Sequence, residues 1–511
     1  MKRITTALAL LFLCPALFAA DFTATFLHVN DTHDRIDPTI IAGKPYGGMP
    51  RLITLVERYR KSDPNPIVLH GGDAFQGTFY FNVYEGLADL AFLNALRLDA
   101  MELGNHEFDR GPAALAAFVR GAQFPVLAAN LNVENEPLLR GKIARSTVIT
   151  RGGERIGIVG GITPTLATTS NPGPTIGLYD LASSLQTEID ALTAAGINKI
   201  VLLTHVGYGP EQELARTLRN VDVIVGGHSH TLLGTTTAPG WPASQGPYPT
   251  VVENPEHGKT LVVQSWEGER VMGRLQVTFD EQGRVTRWGT TQPVAVDESV
   301  PEDPAAKALA EAFQKPIAAQ RDRKIAVASE AIRSQGMGSI IADAMLAGTA
   351  KYGTVLALMN SGGVRAAFEP GDITFGSAIS VQPFGDTLVV MDVTGAQLRQ
   401  ALEDIVEGSR TRALYVSSGS SYALDATKAA GSRVTDLMVA GSPVEPAKTY
   451  RICVNNFLAR GGDEVVTLQN ATGYRYDTGL LDVDLFVEYL TAHSLIKSGE
   501  NRVRGITANT R

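Results

Sequence analysis

Asp31-Thr32-His33 sets a carboxylate and an imidazole one residue apart, so that in an irregular segment both can face one point. Four further segments offer the same kinds of side chain. Asp73 follows Gly71 and Gly72, which permit a tight turn and close backbone approach. Asn105, His106 and Asp109 stand together in GNHEFD, His205 in LLTHVG, and His228 and His230 in GGHSH. Mixed imidazole and carboxylate donors suit zinc, manganese or iron better than calcium, which prefers all-oxygen ligands. So many donors exceed what one ion of four- to six-fold coordination can use. They suit two ions sharing a carboxylate, and two metals ~3.5–4 Å apart can clamp both oxygens of an in-line displacement at phosphorus. Of nine histidines, five fall inside these motifs. His28, His70, His257 and His493 lie outside and read as structural.

The elements that must position these groups are short buried strands alternating with amphipathic helices. TATFLHVND, PNPIVLHGGD, FPVLAAN, RIGIVGG, KIVLLTHVG and DVIVGGHS read as strands, with helices such as MPRLITLVERYRK and GLADLAFLNAL between them. The alternation indicates a layered α/β domain. Its candidate ligands all fall at or just beyond strand ends, the rim where such sheets bind ligands. Pro293, Pro301 and Pro304 punctuate the chain near residues 295–325, and the stretch AAKALAEAFQKPIAAQ, interrupted by Pro316, reads as a connecting helix. The expected organisation is a leader over 1–20, a catalytic domain over 21–295, a connector and hinge over 296–325, and a second α/β domain over 326–511. Strands are expected there around TVLALMN and TLVVMDVT, with a hairpin near TRALYVSS.

A chain of 511 residues exceeds what one hydrophobic core usually supports. Its formal charge is -8, and losing Lys2 and Arg3 with the leader takes it to -10. That balance argues against binding nucleic-acid polymers, which needs clustered basic residues. A single phosphate needs only local positive charge, and metal ions supply it. Lys2 and Arg3, the apolar run Ala7–Phe18 and the small pair Ala19-Ala20 form a secretory leader. An export destination in the periplasm or outside the cell is therefore expected, with no integral membrane segment and a monomer or weak oligomer. After removal of the leader with Cys14, Cys453 is the one cysteine left, so no internal disulfide can form.

In the C-terminal part, Asn360 and Arg365 bracket a glycine turn in NSGGVR that can bring backbone and guanidinium close to an anion. Phe384 in QPFGD and Phe457 in NNFLARGGDE read as loop aromatics able to sandwich a planar base.

VNDTHDR, GGDAFQG, GNHEFDRG, THVG and GGHSH resemble, in order, the motifs of the calcineurin-like metallophosphoesterases. With the second-domain motifs, the whole mature chain resembles the secreted 5'-nucleotidase and UDP-sugar hydrolase family. The resemblance implies an N-terminal calcineurin-like α/β-sandwich and a C-terminal α/β substrate-binding domain. It implies two divalent ions, zinc, manganese or cobalt, one held by Asp31, His33 and His230, the other by Asn105, His205 and His228, with Asp73 bridging. His106, oriented by Asp109, would be the non-ligand catalytic histidine. Phe384 and Phe457 would clamp the base, Asp463 would meet a hydroxyl, and Asn360 and Arg365 match nucleotide-binding positions. Lys351 falls near another basic position, Asp386 stands where some relatives have asparagine, and Glu464 replaces the glycine of GGDG. The activity implied is hydrolysis of a nucleotide phosphate ester. Alternatives are the same chemistry on UDP-sugars or cyclic nucleotides, or an inactive surface binding protein. GGERIG and IVGGIT lack the glycine spacing of a phosphate loop or dinucleotide fingerprint.

Overall fold

The computed structural model describes residues 21–289, 292–408, 412–425 and 427–505. The leader expected over 1–20 lies outside them. The N-terminal half is built on two sheets packed face to face. In spatial order the first runs Val285–Trp288, Val271–Phe279, Phe22–Val29, Pro66–His70, Ala100–Glu102 and Val126–Leu127, with Val294–Ala295 paired to Val271–Phe279. The second runs Thr250–Glu253, Lys259–Val263, Val223–Val225, Ile200–His205, Glu154–Ile162 and Ser146–Arg151. The four strands from Phe22–Val29 to Val126–Leu127 are mutually parallel, as are the four inner strands of the second sheet.

Strand periodicity explains the layering. Ala24 and Phe26, Ile67 and Leu69, Val201 and Leu203, Val223 and Val225 pack together between the sheets. The alternate residues face helices. Leu27, Val29 and Val68 meet those on the first sheet, and Ile200, Leu202 and Ile224 those on the second. Both faces are covered, which is why these strands are continuous apolar runs and not alternating ones. Helix Met49–Ser62 buries Met49, Leu52, Ile53 and Val56, one stripe at helical spacing, and carries Arg60 and Lys61 in its last turn. Each fully buried leucine or phenylalanine of this kind contributes about 1.5–3 kcal/mol. The result is a four-layer α/β sandwich, consistent with the layered α/β domain that the strand pattern indicated.

The stretch expected to form the connecting helix is two helices, Pro304–Gln314 and Ala318–Arg321, separated around Pro316. Asp303 caps the first, accepting the Ala306 N–H. Ala306, Ala310 and Ile317 pack into the helix-covered core of the N-terminal half. Strand Lys324–Ala328 belongs to the second core, which surrounds a five-stranded sheet ordered Leu414–Val416, Leu356–Asn360, Thr449–Asn455, Thr387–Thr394 and Arg475–Leu481. The hairpin expected near TRALYVSS is absent among the described residues. Leu414–Val416 pairs with Leu356–Asn360, whereas Ser421–Leu424 crosses to another sheet and pairs with Val434–Val439. Ser417 turns the chain there, its N–H donating to Ala357 O and its hydroxyl accepting the Ala357 N–H.

Candidate metal centre and nucleotide cavity

Every motif that carries imidazole or carboxylate leaves the carboxyl end of a strand in one of the two sheets, and the loops converge across the sandwich rim. Asp31, His33, Asp73 and His230 bring one ligand atom each within 4.8 Å of one another. Asp73, His205 and His228 form a second such group, so Asp73 belongs to both. Asn105 joins the second, its Oδ1 lying 2.9 Å from His228 Nδ1. His106 belongs to neither group. Its Nδ1 donates to Asp109 Oδ2 at 2.7 Å, Asp109 Oδ1 accepts from Ser170 Oγ at 2.6 Å, and His106 Nε2 lies 3.9 Å from Asp73 Oδ2.

The outer contacts of the histidines fix which nitrogen is free. His33 Nδ1 faces the Phe75 carbonyl at 3.1 Å, and His230 Nδ1 faces Glu267 Oε2 at 2.9 Å. With the proton on each Nδ1, the two Nε2 lone pairs lie 3.1 Å apart and Asp31 Oδ1 is 3.1 Å from the second. His205 repeats the pattern. Its Nδ1 donates to Gly71 O at 2.7 Å, while Nε2, buried and without a hydrogen bond among the described residues, sits 3.0 Å from Asp73 Oδ2. Lone pairs facing lone pairs are repulsive unless a cation lies between them, so the donor set fits a pair of divalent ions.

Without metal the carboxylates and imidazoles hold one another's charges: burial disfavours a charged His205, but Asp73 and Asp31 overcome it and raise its pKa to about 10. Burial opposes ionisation of Asp31, yet His230 and His205 outweigh it and bring the carboxyl down to about 2. Burial, with Arg365 and His230, holds His33 well below the usual imidazole range. Burial also disfavours a charged His106, but Asp109 and Asp73 overcome it and raise its pKa.

A cavity of about 1780 Å³ opens over this centre and is lined by both halves of the chain. Asn360, Arg365, Phe384, Phe457 and Asp463 all border it. Asn360 Nδ2 donates to Asp463 Oδ2 at 2.7 Å and Asn455 Nδ2 to Asn360 Oδ1 at 3.1 Å, so the two polar groups are braced together. Phe384 lies 5.5 Å from the His106 ring, and Arg365 Nη2 reaches within 3.1 Å of His33 Nε2. Gly462 is required where it stands, since a Cβ there would meet the Phe457 ring at 2.5 Å. Lys351 and Glu464 do not border the cavity among the described residues.

Residues 24–232 match the calcineurin-like phosphoesterase family and residues 311–470 the 5'-nucleotidase C-terminal domain. The human 5'-nucleotidase is 32% identical over 96% of this chain and 92% of its own length. The chain belongs to the 5'-nucleotidase family.

The crystal structure of a 5'-nucleotidase precursor from Thermus thermophilus superimposes with a TM-score of 0.90 and 43% identity, covering 95% of this chain and all of that one. The trifunctional nucleotide phosphoesterase protein YfkN of Bacillus subtilis is 32% identical over 91% of this chain, which spans about a third (34%) of that protein. This 5'-nucleotidase family member is thus a two-domain α/β phosphoesterase with a buried Asp/His cluster suited to two divalent ions.

Glu267 and Arg412 at the site escaped the sequence reading, whereas His70 and Asp386 were named in it. His70, read as structural, meets Thr32 Oγ1 at 3.0 Å and accepts the Gly72 N–H at 3.1 Å, tying two ligand loops. Glu267 orients His230, and Arg412 approaches Asp463 at 3.7 Å from the cavity wall. Asp386 faces the cavity beside Asp109, and burial with that neighbouring charge pushes it up to about 7. A carboxylate or arginine beyond a motif carries no spacing signal, so only tertiary placement reveals these.

Proposed function

We propose that this protein is an exported two-metal 5'-nucleotidase that hydrolyses nucleotide phosphate esters to nucleoside and phosphate. The observation that carries the reading is the convergence of seven donors from both sheets beneath a cavity whose other wall comes from the second domain. In this reading the chain passes from the catalytic domain, residues 21–295, through the connector 296–325 to the substrate domain, 326–511. Asp31, His33 and His230 would hold one ion and Asn105, His205 and His228 the other, with Asp73 available to both. When bound, the ions acidify water and draw charge from the phosphoryl oxygens.

The chain's own groups do the rest. Arg365 offers its guanidinium to the phosphate, a charge-assisted contact stronger than a neutral hydrogen bond. His106, kept in one orientation by Asp109 and Ser170, presents Nε2 where charge develops on the phosphoryl group and on the leaving oxygen. Phe384 and Phe457 stack the base, and Asn360 and Asp463 accept or donate to ribose hydroxyls. Export rests on the leader sequence, and no helix among the described residues is long and apolar enough to cross a membrane.

The cavity exceeds the ~300–1,000 Å³ typical of small-ligand sites. That volume favours, as a second reading, nucleotides with an extra substituent such as UDP-sugars. Phosphate release from AMP, ATP, UDP-glucose, a cyclic nucleotide and p-nitrophenyl phosphate, with Mn, Zn or Co added, tests both. Metal-dependent release from AMP is expected. Turnover of UDP-glucose without AMP would select the second reading, and no release from any would refute both.

A further inference from the structure

Five of the seven converging side chains sit on left-handed backbone: Asp31 (φ 52°), His33 (φ 52°), Asp73 (φ 58°), His228 (φ 78°) and His230 (φ 49°). Non-glycine residues keep that conformation only where their surroundings impose it. At Asp73, whose carboxylate belongs to both ligand groups, the turn's carbonyls accept the N–H groups of Asp31, His33 and Asp34, and its amides from Asp73 to Phe75 are all gathered by a single side chain. Glu107 is fully buried, and its Oε2 accepts the N–H groups of Asp73 at 3.0 Å and Gly104 at 2.6 Å. Its Oε1 accepts those of Ala74 at 2.7 Å and Phe75 at 3.1 Å. A carboxylate has about four lone-pair sites, and here all are taken by amides.

The amides belong to two different loops, one after strand Pro66–His70 and one after Ala100–Glu102. Glu107 therefore ties the turn carrying Asp73 to the turn carrying Asn105 and His106. With the backbone so held, Asp73 Oδ1 accepts the His106 N–H at 2.8 Å and Oδ2 is left facing His205. Glu107 itself belongs to neither group of ligand atoms. The histidine loop is braced separately. Gln264 accepts the Thr231 N–H at 3.1 Å, donates to Gly227 O at 2.9 Å, and is gripped by Glu211. A change at Glu107 leaves that second brace in place.

We propose that Glu107 is the positioning residue of the shared metal ligand: by accepting four loop amides it fixes the turn at Asp73 and thereby the direction in which that carboxylate is presented to both ions. The proposal rests on the two-ion reading above. Glutamine cannot replace it, because in either amide orientation an NH₂ group would face two N–H donors. Aspartate keeps the charge but is one methylene short of the four amides.

The test is titration of metal-free protein with Mn²⁺, following stoichiometry by equilibrium binding and ion–ion coupling by electron paramagnetic resonance. Wild-type protein should take two ions and give the spin-coupled signal of a bridged pair; failure to bind two ions would sink the two-ion reading itself. Glu107→Gln should bind the second ion about 10–100-fold more weakly and lose the coupled signal, while the circular dichroism of the metal-free protein is unchanged. Glu107→Asp should fall between the two. Two ions bound by Glu107→Gln with wild-type affinity and coupling would overturn the proposal and leave the two-ion reading standing. If the glutamine variant does not fold, the aspartate variant decides on the same readings, and if neither folds Glu107 is scaffold and the proposal fails.

Discussion

Replacing His106 with asparagine separates chemistry from metal binding more sharply than any other single change. The imidazole belongs to neither ligand group, and its Nε2 lies 3.9 Å from Asp73 Oδ2. What holds it is Asp109 at 2.7 Å, which Ser170 braces in turn. His106→Asn should therefore leave two ions bound. It removes a group whose pKa is raised because Asp109 and Asp73 outweigh the opposing effect of burial. A positioned proton donor of this kind contributes ~10²–10⁴-fold, or about 3–5 kcal/mol of barrier. Its loss is a loss of transition-state stabilisation, so kcat and kcat/KM should fall together with KM little changed. Asp109→Asn should cost at least ~10-fold, because an amide N–H would meet Nδ1–H and turn the ring or its tautomer. Since the two act as one unit, the double variant should be no slower than His106→Asn alone. The assay is phosphate release from AMP beside metal analysis of the same samples. If His106→Asn keeps more than a tenth of wild-type kcat, or sheds its metal, the division between ligand and catalytic residue is wrong.

Phe384→Ala and Phe457→Ala should each lower kcat/KM for AMP by the ~1–3 kcal/mol of a lost base stack, yet leave p-nitrophenyl phosphate hydrolysis unchanged; equal losses on both substrates would mean the rings act on the phosphate side. Gly462→Ala should raise KM for AMP through displacement of the Phe457 ring, and a wild-type KM would show the ring has room to give. Glu102 is fully buried, and burial pushes its pKa well above the usual range despite nearby His205 and the backbone amides of Gly161 and Leu103. The unfolded chain releases this proton at lower pH than the folded one, so its contribution is fully present at acid pH and is lost as pH rises above ~4.3 toward the folded value. Glu102→Gln should thus melt increasingly above wild type as pH is raised through that window, and a pH-independent difference would refute the assignment.

The strands of the catalytic half were readable because burial on both faces makes each a continuous apolar run that gives way to polar residues, as in IVLLTH, which ends in His205, and VIV, which leads through two glycines to His228. The motif residues converge because every such strand delivers its polar end to the same rim. Glu107 and Glu211 were not readable. The first looks like any acid in a tight turn, and the second is a charged residue on the face of helix Tyr208–Thr217 that carries Leu214 and Ala215, and both are fully buried. The missed departure at TRALYVSS has a similar origin. Leu414–Val416 and Ser421–Leu424 are near in sequence and each could pair, and only the neighbouring strand Leu356–Asn360 decides that they do not pair with each other.

Whether two cations share Asp73 is decided by anomalous diffraction from crystals grown with Mn²⁺ or Zn²⁺. Two peaks ~3.5–4 Å apart are expected, one among Asp31, His33 and His230 and one among Asn105, His205 and His228, both within coordination distance of Asp73. A single peak, or two peaks of which one lies out of reach of Asp73, would contradict that sharing.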